Sequence, residues 1–84
     1  MGARETLEAA RRGARNLRFR DVAAMLEALG FRLARVSGSH HIFTAPNVRE
    51  LINLQEVNGQ CKPYQLRQIV RLVERYNLDT KAGL

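Results

Sequence analysis

The chain has 84 residues, 45% of them hydrophobic, which bounds it to one small globular domain with a single core. Its formal charge of +6 and pI near 10.7 suit a polyanionic partner, nucleic acid first and an acidic protein second. The lone Cys61 excludes an internal disulfide and a cysteine-based zinc site and fits a reducing compartment. No apolar stretch approaches the roughly 20 residues of a membrane span, and the N-terminus lacks the apolar core of a signal peptide, so a cytoplasmic protein with no membrane partner is expected.

Glu5 to Arg12 reads as a short, charged, Ala-rich helix ended by Gly13. Leu7 is its one large apolar residue, so it is expected to bury little. Residues 1–17 are assigned to an accessory N-terminal helix and connector. Phe19, Val22, Met25, Leu26 and Leu29 then share one face of a stronger helix, with Asp21 in its first turn and Gly30 as its stop signal.

After Gly30 the period changes. Phe31 to Val36 mixes apolar and basic residues as a strand, Gly38-Ser39 makes a turn, and His40 to Thr44 forms the second strand of a hairpin closed by Pro46. Leu51 to Gln55 is a third strand, and Val57 to Gln60 a loop. Pro63 opens a last helix with Leu66, Ile69, Val70, Val73 and Tyr76 on its apolar face. The expected fold class is α+β: a three-stranded antiparallel sheet packed on two helices, with an extra N-terminal helix. The functional domain is drawn over residues 18–78, with 79–84 as a C-terminal tail.

The only two histidines stand side by side after the Gly38-Ser39 turn. A turn offers backbone N–H groups, and an imidazole exchanges a proton near neutral pH, both of which phosphate chemistry needs. Neighbours on a strand point to opposite faces, so the pair cannot line one site or chelate one metal together. Phe43 should face the helices, which puts His41 half-buried beneath the sheet and His40 on the open face with Ile42 and Thr44. His40 is therefore the better candidate for substrate contact. The plainer alternative is a surface hairpin whose histidines have no role. Glu50 and Glu56 do not lie at ligand spacing, so no metal site is expected, and no Ser-His-Asp constellation is visible.

Arg67, Arg71 and Arg75 recur every four residues as a ridge on the last helix. Lys62 stands at that helix's N-terminus, where free N–H groups also favour phosphate. Arg32 and Arg35 add charge on the first strand. These residues are candidates for backbone contact with a nucleic acid, against the simpler reading of a solvated helix face. Tyr64 is the one exposed ring expected near them.

Taken in order, Leu29-Gly30-Phe31, Arg35, Gly38-Ser39-His40-His41-Ile42-Phe43, Pro46 and Lys62-Pro63 resemble the HicA family of bacterial and archaeal toxins, from roughly Arg20 to Leu78. The resemblance implies a double-stranded-RNA-binding-like fold and an mRNA interferase that cuts RNA without metal, cofactor or ribosome. It implies a HicB-like antitoxin, here an acidic one, that binds over the active surface. It also implies a catalytic histidine at the third position of Gly-Ser-His, which is His40. Some relatives carry that histidine one position later, which keeps His41 as the second candidate. Gly38, Ser39, Arg35, Lys62, Arg67 and Arg71 complete the expected RNA-binding set. Many relatives place a basic residue and a histidine before the proline, where this chain has Thr44-Ala45. The rival readings are a non-catalytic RNA-binding module and a protein-interaction domain whose basic face meets only an acidic partner.

Overall fold

The computed structural model describes residues 1–80, so the last four residues of the expected tail lie outside the described residues. Three helices and three strands follow in the order α1 (Ala3–Arg11), α2 (Phe19–Ala28), β1 (Arg32–Ser37), β2 (His40–Ala45), β3 (Val48–Gln55) and α3 (Pro63–Tyr76). The strands form one antiparallel sheet in the order β1-β2-β3. This is the α+β arrangement expected from the change of period after Gly30.

The core lies between one face of the sheet and the helices. Val22, Met25 and Leu26 of α2, Ile52 and Leu54 of β3 and Ile69 of α3 have no solvent exposure. Their spacing follows the 3.6 and 2.0 periods of helix and strand, so each element presents one stripe to a shared interior. Truncating any of the larger ones to alanine would cost about 2–5 kcal/mol, the usual range for a buried aliphatic residue.

Three local details differ from the sequence reading, each for a physical reason. Helix α1 buries more than its composition suggests: Thr6, Leu7 and Ala10 are enclosed where α1 lies against α2 and α3. Thr6 is compatible with burial because its hydroxyl donates to the Gly2 carbonyl at 2.8 Å. Strand β3 begins at Val48 rather than Leu51, because Ala45 pairs with Val48 across a Pro46-Asn47 turn and Val48 is buried. Helix α3 also buries Leu72 and Gln65.

The two edges of the sheet are treated differently. Along β3, the Gln65 side-chain N–H donates to the Asn53 carbonyl at 2.8 Å, and the Arg49 N–H reaches the Tyr76 hydroxyl at 3.4 Å. Helix α3 thus covers that edge. All six residues of β1 are exposed. Arg32 and Arg35 on this strand set like charges against any second copy pairing there.

Candidate nucleic-acid interface

The hairpin that carries the histidines is as tight as a hairpin gets. Ser37 pairs with His40, leaving Gly38 and Ser39 as a two-residue loop. Gly38 takes φ +61°, a left-handed backbone that a side chain at Cβ would oppose. Ser39 accepts at its carbonyl from the Glu56 N–H at 3.2 Å, which ties the loop to the end of β3.

Directly after that loop the two imidazoles part. His41 is half-buried on the helix side, its ring centroid 4.5 Å from that of Phe19 and tilted by 55°. Its Nδ1 lies 3.1 Å from the Ser39 carbonyl oxygen, which can only accept, so Nδ1–H donates. His40 is exposed on the opposite face. Strand alternation and the packing of Phe43 account for this division: Phe43 is buried, and His41 shares its parity.

Register then decides what surrounds His40. Across the sheet, His40 stands opposite Gln55 on β3 and Ser37 on β1, and Ile42 stands between Asn53 and Arg35. Directly opposed residues in an antiparallel sheet share a face. The open face therefore carries Arg32, Arg35, Ser37, His40, Ile42, Thr44, Leu51, Asn53 and Gln55, and none of these is acidic. Glu50 points the other way, where it accepts from the Tyr76 hydroxyl at 2.6 Å and from Arg75 Nη1 at 2.8 Å. The Tyr76 hydrogen bond, then the strand backbone and the Arg75 guanidinium, hold its carboxyl below the usual range.

His40 is embedded in amides. Asn53 Oδ1 lies 3.1 Å from its Nδ1, and Gln55 Nε2 lies 3.4 Å from its Nε2. The Tyr64 hydroxyl, half exposed at the start of α3, donates to Gln55 Oε1 at 3.4 Å. Neither Asn53 nor Gln55 stood out in the sequence. The signal was there in the alternation Ile52-Asn53-Leu54-Gln55, which puts two amides on one face of a strand.

The basic residues fall into two groups. Arg35 shares the open face, two positions along the strand pairing from His40. Lys62 is exposed at the N-cap of α3, whose first turn is brought beside β3 by buried Gln65: its Nε2 reaches the Asn53 carbonyl and its Oε1 accepts from the Lys62 N–H at 3.4 Å. Arg67 and Arg71 are exposed further along α3. Arg71 borders a shallow surface depression with Glu50, Gln68, Leu72, Glu74 and Arg75. Arg75, the third member of the ridge, is occupied by Glu50. The ridge thus runs away from His40 along the helix, and its far end is already neutralised.

Among the described residues, no three His, Cys, Asp or Glu side chains gather as metal ligands, and no helix is long and apolar enough to cross a membrane. A family model described as the HicA toxin of bacterial toxin-antitoxin matches residues 19–74. No curated relative and no solved structure matches the chain.

Proposed function

The chain belongs to the HicA toxin family, and from that premise we propose that it is the toxin of a type II toxin–antitoxin system, a metal-independent, ribosome-independent endoribonuclease that cleaves mRNA with His40 as its catalytic base. One observation carries the assignment to His40. Its ring stands exposed beside the hairpin turn, on a sheet face with no acidic residue to repel a phosphate. The order α2-β1-β2-β3-α3 is also the one that a double-stranded-RNA-binding-like fold requires.

In this reading the RNA backbone lies across the open face near the tip of the β1–β2 hairpin. His40 Nε2 takes the proton of a ribose 2′-hydroxyl, and the freed oxygen attacks the adjacent phosphorus. The bond from phosphorus to the 5′-oxygen breaks, leaving a 2′,3′-cyclic phosphate and a 5′-hydroxyl that takes its proton from solvent. Arg35 and Lys62, with the Gly38 and Ser39 N–H groups, offset the charge that develops on the phosphorane oxygens. A single proton-transfer residue on an open surface makes a slow enzyme, and a slow RNase is sufficient to arrest growth. Such a toxin acts in the cytoplasm and is held silent by an acidic HicB-like antitoxin.

The test is purified protein with RNA in EDTA, native against His40→Ala. Cleavage by the native protein that is lost in the variant is the expected result. Tight RNA binding without cleavage would establish the alternative, a non-catalytic RNA-binding module. Neither binding nor cleavage would leave only a protein-interaction role for the basic face.

A further inference from the structure

The two ring contacts of His40 demand the same protonation pattern. Asn53 Oδ1 carries lone pairs and no proton, so at 3.1 Å it can only accept, and Nδ1 must hold the hydrogen. Gln55 Nε2 carries protons and no available lone pair, so it can only donate, and the ring's Nε2 must be the acceptor. Gln55 Oε1 accepts in turn from the Tyr64 hydroxyl. All three hydrogen bonds therefore run in one direction, from Tyr64 through Gln55 and His40 to Asn53.

Asn53 is well placed for the last position in that chain. Its carbonyl is fixed by the buried Gln65 side chain at 2.8 Å, which pins this part of β3 to α3. Its own side chain is exposed and takes no part in the core. Replacing that side chain leaves the Gln65 contact in place, since the contact is made to the backbone.

We propose that Asn53 is a positioning residue that holds His40 as the Nδ1–H tautomer, so that Nε2 presents its lone pair at the open face, and that the Gln55 amide occupies the place a substrate hydroxyl takes. This rests on the reading of His40 as a base. The ring nitrogen that carries the proton is set by the hydrogen bond the other side of the ring makes. Without an acceptor at Nδ1 the ring is free to place its proton on Nε2, where it cannot take one from a ribose. A 2′-hydroxyl that displaces Gln55 meets Nε2 in the same donor-to-acceptor sense as the amide it replaces.

The experiment reads the tautomer directly, by long-range ¹H–¹⁵N NMR of the RNA-free protein at a pH where His40 is neutral, its signal identified by its loss in His40→Ala. The native ring should show a protonated Nδ1 and an unprotonated Nε2. Asn53→Leu, which keeps the size but removes the acceptor, should shift the ring toward Nε2–H and lower kcat about ten-fold with KM unchanged. Asn53→Asp, whose carboxylate also only accepts, should restore the native tautomer. A native ring already protonated at Nε2, a tautomer unmoved by Asn53→Leu, or a shifted tautomer with unchanged kcat would each overturn the proposal. The NMR arm needs no RNA. A protein that never cleaves RNA therefore overturns the nuclease reading, while the tautomer result still decides the role of Asn53.

Discussion

The His41 and Phe19 rings meet at 4.5 Å with a 55° tilt, so one of two adjacent histidines packs the start of α2 against the sheet while its neighbour faces outward. Such an aromatic contact is worth about 1 kcal/mol beyond the area it buries. His41→Ala should therefore lower the thermal midpoint measurably, whereas His40→Ala should leave the midpoint and the circular dichroism unchanged.

The proposed nuclease chemistry separates the same pair. His40→Ala should abolish RNA cleavage and growth arrest in a folded protein. His41→Ala should retain cleavage once assayed at a temperature where the variant is folded. Loss of activity in folded His41→Ala with activity kept in His40→Ala would move the catalytic role from His40 to His41.

The arginine ridge should act on affinity and do so unevenly. Replacing Arg67 and Arg71 with Gln should weaken RNA binding and flatten the plot of log K against log salt by roughly 0.7 per charge, the single-strand value. Arg75→Gln should change that slope less, because the Arg75 guanidinium is already engaged by Glu50 at 2.8 Å. An unchanged slope in the double variant would mean that this helix face is merely solvated.

How far the sequence could be read depended on the range of the signal. The helices and strands follow from short-range periods, and the opposite facing of His40 and His41 follows from strand alternation once Phe43 is taken as core. The environment of His40 depends on register between strands, which no single strand encodes. Asn53 meets His40 only because the Pro46-Asn47 turn, together with an irregularity between Phe43 and Ala45, sets the register of β3 on β2. The burial of helix α1 is hidden in its sequence for a different reason. Its buried surface is one leucine, an alanine and a threonine whose polarity is satisfied locally, so its composition resembles that of a solvated helix.

Cys61 predicts an alkaline dependence. Burial, with a smaller contribution from the Glu56 charge, pushes its thiol up to about 12 from an ordinary value of 9.0. A group raised in the folded state contributes stability that is fully present below its unfolded value and is lost as pH climbs toward the folded one. Stability should thus fall by up to about 1.4 kcal/mol per pH unit above pH 9 from this group alone. Urea midpoints of native protein and Cys61→Ala, compared at pH 8 and pH 10.5, should show the steeper loss in the native protein. Equal slopes would place the thiol in contact with solvent.

The last prediction concerns inhibition. If His40 is the base proposed above, covering the open sheet is the most direct way to silence it, so an acidic antitoxin should bury His40 together with Arg35 and Lys62. Opposite charges accelerate encounter, and association should be faster at low salt, with the dissociation rate affected less. Substituting Arg35 and Lys62 with Gln should reduce that salt dependence, whereas Arg75→Gln, already paired with Glu50, should change it little. Solvent accessibility of His40, read by diethyl pyrocarbonate modification, should be lost in the complex. A complex that suppresses cleavage while His40 stays fully modifiable would show that the antitoxin acts on the conformation of the toxin and not by covering its face.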